Sequence, residues 1–310
     1  MISIQSIASY IPSRRVDVQQ RAYSLEVSHE FLSNKLGVQE LAVLDEEQDT
    51  SDMAVYAVQK LIDKSSLQLN EIDCIILCTQ NPDAQGLPHT SAIVHQKLEL
   101  TDNVACLDIS LGCSGYVYGL NVAQGMMLAN DYQNVVLITA DPYSKIIDPE
   151  NRDTALLFGD AATATWLVNG HGWTIEQTVL NTRGSGGHHI ENRGGMLHMD
   201  GRQVFNFAMT EVPRQVSALL EKNNLETAHI DRWYLHQGSR FIVENLAKRM
   251  RVDMERVSLG IQEAGNTVSS SIPLMIEKDI QKISDKNIIL SGFGVGLSWG
   301  TMLLKNTITN

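Results

Sequence analysis

The chain has 310 residues, of which 43% are hydrophobic and 19% charged, and its net charge at neutral pH is −12. This length allows roughly two domains. The negative net charge argues against a nucleic-acid binder. The sequence contains no apolar run of roughly eighteen residues, so it predicts no membrane span. Four cysteines in strand-like sequence and an N-terminus without a signal-peptide pattern predict a cytoplasmic protein with no disulfide framework and no metal site.

The first third of the chain predicts alternating strands and helices. Apolar–polar alternation predicts a strand over residues 2–11, and a helix over 29–38 should stop at Gly37. Helical spacing of apolar residues predicts an amphipathic helix over 51–65, and an apolar run predicts a buried strand over 73–79. A loop over 81–88 and a helix over 91–98 follow.

The stretch 104–127 combines a buried strand, a cysteine flanked by glycines and an apolar helix. Cys113 lies between Gly112 and Gly115, where the strand should end and the helix begin. Free backbone N–H groups and the positive end of the helix dipole favour the thiolate, which is the reactive form of cysteine. The alternative is a buried, inert thiol, the usual state of a free cysteine.

The second half of the chain repeats the first. After a strand over 134–140 and a loop over 183–195, a shift of 158 residues aligns 51–79 with 209–237 and places Cys78 on His236. A shift of 153 places Cys113 on Asn266. The repeat predicts an α/β protein of two duplicated βαβ-rich halves, residues 1–170 and 171–310, with parallel-rich sheets.

Three polar residues should meet where the two halves join. Ligands bind at the carboxyl ends of parallel strands, and we expect Cys113, His236 and Asn266 at such ends. A Cys–His pair supplies a nucleophile and its partner, and Asn can donate to a developing oxyanion. A thiol protease uses the same residue types, but a cysteine deep in a duplicated α/β core favours acyl transfer through a thioester.

Four motifs, in this order and spacing, resemble those of the β-ketoacyl-acyl-carrier-protein synthase III family of the thiolase superfamily. They are residues 108–115 (DISLGCSG), 235–239 (LHQGS), 265–273 (GNTVSSSIP) and 292–300 (GFGVGLSWG). The resemblance covers nearly the whole chain. It implies a thiolase-like fold in a layered αβαβα arrangement and a homodimer.

The resemblance also implies a two-step reaction without a cofactor other than the CoA thioester substrate. Cys113 would accept the acyl group of an acyl-CoA primer, and malonyl-acyl carrier protein would then lose carbon dioxide and attack the acyl-cysteine. His236 and Asn266 would donate hydrogen bonds to the enolate. The backbone N–H groups of Cys113 and Val295 would form the oxyanion hole.

Several positions are implied to bind the substrate. Phe31 stands where the family commonly has Trp and Lys35 where it has Arg, both near the CoA adenine, which weakens stacking and bidentate contacts. Arg152 matches a nucleotide-contacting Arg. Phe205 matches a residue that gates the substrate tunnel, or it is a core aromatic.

Three departures from the family pattern leave the identity of the primer undetermined and favour a specialised relative of the family. Ser239 replaces an Asn near the histidine motif, and Val295 replaces a Gly beside the active site. Leu87 stands where a bulkier aromatic residue often lines the acyl pocket of the partner subunit. Each changes the shape or polarity of a position that the substrate should approach.

A basic cluster follows the histidine motif in an otherwise acidic chain. Arg240, Lys248 and Arg249 are either a solvated helix face, as charge runs usually are, or a docking surface for acidic carrier protein. Lys248 and Arg249 match the docking pair of the family, which favours the second interpretation.

Two other functions remain open at the level of the sequence. An acyltransferase of the same fold would pass the acyl group from Cys113 to a hydroxyl or amine. A non-catalytic homologue would only bind carrier protein, but the presence of Cys113, His236 and Asn266 together argues against it.

Overall fold

The computed structural model describes residues 1–279 and 285–308, and these contain thirteen strands and eight α-helices. The strands are β1 (Ile2–Tyr10), β2 (Arg15–Asp17), β3 (Glu40–Ala42), β4 (Cys74–Cys78), β5 (Ala105–Ile109), β6 (Asn134–Ala140), β7 (Ala162–Asn169), β8 (Trp173–Thr182), β9 (Ile190–Arg193), β10 (Met196–Met199), β11 (Arg232–Leu235), β12 (Asn287–Gly294) and β13 (Ser298–Asn306). The helices are α1 (Val18–Ser24), α2 (His29–Phe31), α3 (Thr50–Lys64), α4 (Thr90–Lys97), α5 (Gly115–Asn130), α6 (Gly201–Lys222), α7 (Arg240–Met250) and α8 (Ser271–Asp279).

Most of the predicted elements exist close to their predicted bounds, and two differ in kind. The helix predicted over 29–38 is the short α2 followed by a π-helical turn, Leu32–Leu36, which ends at Gly37 with a φ of 76°. A left-handed residue of this kind is a common helix terminator. The prediction of a plain loop over 183–195 is wrong, because this segment includes β9, which pairs with β10 in a hairpin.

Nine strands form one mixed sheet in the order β11-β12-β13-β8-β1-β7-β6-β4-β5. The pairs β4/β5, β4/β6 and β11/β12 are parallel, and the other neighbours are antiparallel. The expectation of parallel-rich sheets is therefore wrong. Between β12 and β13 the reason is local: the turn Val295–Leu297 is too short for the crossover that a parallel pair needs.

The sheet confirms the duplication of the two halves. From one edge the strands follow the order β5, β4, β6, β7, β1, and from the other edge the order β11, β12, β13, β8. The strands β4, β6, β7 and β1 correspond to β11, β12, β13 and β8, and in both sets the first pair is parallel and the next two pairs are antiparallel. The counterpart of β5 is reduced to one isolated parallel bridge between Trp233 and Val257. Cys113 follows β5, as predicted. The prediction that Asn266 also directly follows a full strand is wrong, because only this one bridge replaces the strand.

The helices and the two halves of the sheet form five layers, because each half of the sheet supplies one layer on either side of a central pair of helices. Helices α5 and α8 share one apolar cluster with strands of both halves, so they form the central layer. Helices α3 and α4 pack outside the first half and α6 and α7 outside the second. In β4, Cys74 and Ile76 face the central layer while Ile75 and Leu77 face α3 and α4, which explains the continuous apolar run. The predicted αβαβα arrangement is confirmed.

We expect Leu137→Ala to lower the free energy of unfolding by about 2–5 kcal/mol, because it leaves a cavity in a close-packed core. Leu137 in β6 is fully buried against Gly119 of α5, where an added Cβ would lie 2.7 Å from its Cδ1. Leu128→Ala in α5 is the matched control, since Leu128 is 69% exposed and surface changes usually stay within about 0.5 kcal/mol. Urea denaturation measures both, and equal losses would contradict the packing argument.

Candidate active site

A cavity of about 580 Å³ is lined by Cys113, His236 and Asn266, which come from three distant parts of the chain. At its exposed end, which we call the mouth, lie Phe31, Lys35, Arg152 and Arg202. Cys113, His236 and Asn266 are 7%, 2% and 3% exposed. The three residues that were expected to converge therefore share one largely apolar site.

Cys113 lies in the turn between β5 and α5. The turn is closed by the Gly115 N–H, which donates to the Gly112 carbonyl at 2.7 Å. Gly294 at the end of β12 leaves room for the thiol, because a Cβ there would lie 2.9 Å from Cys113 Sγ. The backbone N–H groups of Cys113 and Val295 hydrogen-bond to the sulfur. Two backbone donors thus point to one position beside the thiol.

Burial raises the pKa of Cys113 to about 12, and the negative charge of Asp141 adds to this. The two backbone hydrogen bonds lower the pKa but do not compensate. The expectation that the turn would favour the thiolate is therefore wrong for the free protein, because desolvation of a charge outweighs the dipole of a helix end. At neutral pH the side chain of Cys113 is therefore a protonated thiol.

His236 follows β11 and is neutral at physiological pH. Its backbone N–H donates to the Ser291 carbonyl at 2.9 Å, and its Nδ1 lies 2.8 Å from Ser271 Oγ. Burial lowers the pKa of the imidazole to about 3, against a smaller opposing effect of a backbone hydrogen bond with Val268. When the Ser271 hydroxyl donates to Nδ1, the hydrogen of the neutral ring is on Nε2.

Asn266 is oriented by its own loop. Its Oδ1 accepts the Val268 N–H at 2.9 Å, so the side-chain NH2 remains as the donor that faces the cavity. Its backbone N–H donates to Leu157 O at 2.8 Å, and its carbonyl accepts from Gly159 N at 3.1 Å. Asn266 is thus held between residues of the other half of the chain.

Asp141 is a residue that the sequence reasoning missed. It is fully buried, and its carboxylate accepts hydrogen bonds from Ser269 Oγ, from Ser269 N at 3.4 Å and from Gln80 N at 2.8 Å. Burial raises its pKa to about 6 although these hydrogen bonds oppose the shift. A charged residue directly after the apolar strand 134–140 was the available signal.

The peripheral residues that the resemblance assigned to substrate binding all line the cavity except one. Those at the cavity are Phe31, Lys35, Arg152, Phe205 and Ser239. Lys35 Nζ lies 3.4 Å from the centre of the Phe241 ring, and Phe205 stacks on the same ring at 5.3 Å. Phe241 was missed by the sequence reasoning, although it stands two residues after Ser239 in the histidine motif. Leu87 does not line the cavity within this chain and is 87% exposed.

The basic residues that follow the histidine motif lie on the first and last turns of α7. Arg240, Lys248 and Arg249 are exposed, and Arg240 pairs with Glu244 at 2.7 Å. Ser239 caps this helix, because its Oγ accepts the Ile242 N–H at 3.2 Å. The helix therefore carries a cavity residue at its start and exposed cations along its outside.

The described residues contain no group of three or more His, Cys, Asp or Glu side chains that could hold a metal ion. In the same part of the chain, no helix combines the length and the apolar character needed to cross a membrane.

Comparison with known proteins assigns the family. The profile described as 3-oxoacyl-[acyl-carrier-protein] synthase III matches residues 107–184, and the profile of its C-terminal part matches residues 220–306. A β-ketoacyl-[acyl-carrier-protein] synthase III of Staphylococcus epidermidis is 34% identical over 310 residues, which is 98% of each chain. The chain belongs to this family. It is accordingly an enzyme of the synthase III type.

Solved structures of the synthase III family share the fold. The chain matches the Thermus thermophilus β-ketoacyl-[acyl-carrier-protein] synthase III with a TM-score of 0.91 and 29% identity over 98% of each chain. It matches the 3-oxoacyl-[acyl-carrier-protein] synthase III of Aquifex aeolicus with a TM-score of 0.92 and 28% identity, over 98% of this chain and 100% of the other. The thiolase-like fold expected from the motifs is confirmed.

We expect iodoacetamide to alkylate Cys113 at a rate that rises about tenfold per pH unit from about pH 6.5 to 9, without a plateau. The reason is that the thiolate is the reacting form and the pKa of Cys113 lies near 12. Peptide mapping of the alkylated protein measures the rate at this site, and Cys113→Ala controls for the other cysteines. A plateau below about pH 8 would mean that the site stabilises the thiolate after all.

Proposed function

We propose that the protein condenses an acyl-CoA primer with malonyl-acyl carrier protein, with loss of carbon dioxide, through an S-acyl intermediate on Cys113. The observation that carries the proposal is the meeting of Cys113, His236 and Asn266 in one cavity, with two backbone N–H groups at the sulfur. Family membership supports it, since the relatives are named for this type of synthase.

In the first step Cys113 takes the acyl group. Its sulfur attacks the thioester carbonyl, the bond between the carbonyl carbon and the CoA sulfur breaks, and the proton of Cys113 leaves with the CoA thiol. The oxygen of the tetrahedral intermediate accepts from the N–H groups of Cys113 and Val295, and one such donor is typically worth about 10²–10³ in rate.

In the second step the malonyl group loses carbon dioxide, and the electron pair of the broken bond forms an enolate. The enolate oxygen accepts from His236 Nε2–H and from the Asn266 amide. Its carbon then attacks the acyl-cysteine carbonyl and expels the Cys113 sulfur, which recovers a proton from water. Two neutral donors suit this step, because they stabilise the enolate without forming an ion pair with the carboxylate that must leave.

The mouth of the cavity is the proposed entry for the CoA nucleotide. Phe31 and Lys35 would contact the adenine, and Arg152 the phosphates, with Arg202 as a further cation that the sequence reasoning missed. Cations at this position suit a polyanionic ligand in a chain of net charge −12. Phe205 and Ser239 would line the passage to the thiol, with Phe205 as its gate. The reaction needs no other cofactor.

The assembly we propose is a homodimer. The support is Leu87, which stands 87% exposed at the end of a short helical turn, Asp83–Gly86, and which the family resemblance assigns to the acyl pocket of the partner subunit. An exposed leucine at such a tip is stabilised when a second copy covers it.

The first test follows the mass of the intact protein. We expect acyl-CoAs to add one acyl group to the wild-type protein but not to Cys113→Ala, and malonyl-acyl carrier protein to remove it as a β-ketoacyl product. His236→Ala and Asn266→Ala should still load the acyl group, while product formation falls about 10²–10³-fold because each loses one enolate donor. An adduct that malonyl-carrier protein leaves intact would contradict condensation and favour transfer to a hydroxyl or amine.

The second test addresses carrier-protein docking at α7. We expect Lys248→Glu and Arg249→Glu to raise the KM for malonyl-acyl carrier protein, with little change in the loading of Cys113 by acyl-CoA, because exposed charges mainly steer an acidic partner. Lys60→Glu, an exposed cation on α3, is the charge-matched control. Equal KM values for all three variants would show that α7 does not dock the carrier.

A further inference from the structure

The loop that follows Asn266 adopts a backbone conformation that its sequence disfavours. It continues through Thr267 into a 3₁₀ turn, Val268–Ser270, and Val268 has a φ of 53°. This left-handed region suits glycine, whereas a β-branched residue rarely enters it. Such a conformation persists only when contacts around the residue enforce it. A contact outside Val268 must therefore hold this turn.

Val268 connects the two proposed enolate donors. Its N–H donates to Asn266 Oδ1 at 2.9 Å, which leaves the amide NH2 to face the cavity. Its backbone also hydrogen-bonds to the ring of His236. If the backbone of Val268 rotated to an ordinary negative φ, its N–H would leave Asn266, and the amide would lose its orientation. The geometry of both donors therefore depends on the conformation of one residue.

The contact that holds Val268 is made by the next residue. Ser269 is 1% exposed, and its hydroxyl and its backbone N–H both donate to Asp141 Oδ2, the N–H at 3.4 Å. Asp141 is itself fixed, because its Oδ1 accepts the Gln80 N–H at 2.8 Å. A hydrogen bond to a carboxylate is about twice as strong as one between neutral groups. Ser269 therefore ties the strained turn to the first half of the chain.

We propose that Ser269 is a positioning residue for the decarboxylation of the malonyl group. By bonding to Asp141, it holds Val268 in the left-handed conformation. Val268 then presents the amide of Asn266 to the enolate oxygen. The inference rests on the proposed function and adds a residue that acts in the second step only, since Cys113 and its two backbone donors lie on other segments.

The experiment measures the two steps separately. The mass of the intact protein gives the rate of Cys113 acylation by acetyl-, butyryl- and octanoyl-CoA. The acyl-enzyme formed fastest is then mixed with malonyl-acyl carrier protein, and carbon dioxide release is followed over a single turnover. We expect Ser269→Ala to acylate within about twofold of the wild-type rate but to release carbon dioxide about 10- to 100-fold more slowly, because a small displacement of a catalytic group is costly.

Ser3→Ala is the matched control. Ser3 is a fully buried serine of β1, and its hydroxyl hydrogen-bonds to Gly170 O at 2.6 Å and to Thr174 Oγ1 at 3.0 Å. This substitution removes a comparable buried hydroxyl from a strand that does not line the cavity. Both rates should equal those of the wild type.

A second substitution separates positioning from a general loss of stability. We expect Ser269→Ala/Val268→Gly to release carbon dioxide at least about fivefold faster than Ser269→Ala alone, because glycine adopts a positive φ without strain. A merely structural role of Ser269 predicts the opposite, because the double variant also loses the fully buried side chain of Val268.

Three results would overturn the inference while leaving the proposed function intact. The first is a Ser269→Ala variant that releases carbon dioxide at the wild-type rate. The second is a variant whose acylation falls as much as its carbon dioxide release, and the third is a double variant no faster than Ser269→Ala. If no acyl-CoA acylates the wild type, or malonyl-acyl carrier protein leaves its acyl-enzyme intact, the proposed function fails and the inference falls with it.

Discussion

The buried carboxylate of Asp141 is the interaction on which the site depends. One oxygen accepts from Ser269, three residues after Asn266, and the other accepts from Gln80, which anchors Tyr143. A single carboxylate of the first half therefore holds both the loop that carries Asn266 and Gln80, which lies beside the turn that carries Cys113. Its burial is costly, as its raised pKa indicates, and the donors around it offset that cost only while all of them are present.

The burial of the site also decides the charge states of Cys113 and His236. Burial raises the pKa of Cys113 to about 12 and lowers that of His236 to about 3, so both are neutral before substrate binds. A neutral pair suits a site that must stabilise charge only as it develops. Gly294 and Val295 complete this arrangement, because Gly294 has no side chain and leaves room for the sulfur, while the backbone N–H of Val295 donates to it.

Local patterns predicted the elements well, because apolar periodicity reports burial directly. The continuous run of β4 and the helix ending at Gly37 were both evident. The duplication and the meeting of Cys113, His236 and Asn266 followed from the repeat and the motifs. The parallel or antiparallel direction of neighbouring strands could not be predicted from these patterns, because it depends on connections such as Val295–Leu297. The pKa of Cys113 and the hydrogen bonds of Asp141 could not be predicted either, because both arise from contacts between distant segments.

The asymmetry between the halves explains how the site is built. In the first half β5 leads directly to Cys113, whereas its counterpart in the second half is one bridge at Val257. The chain after Val257 is therefore free to leave the sheet and cross to the first half, where Asn266 pairs with Phe158. A full strand would have held it at the sheet edge. The weakened strand thus lets the second half place its amide beside the cysteine of the first.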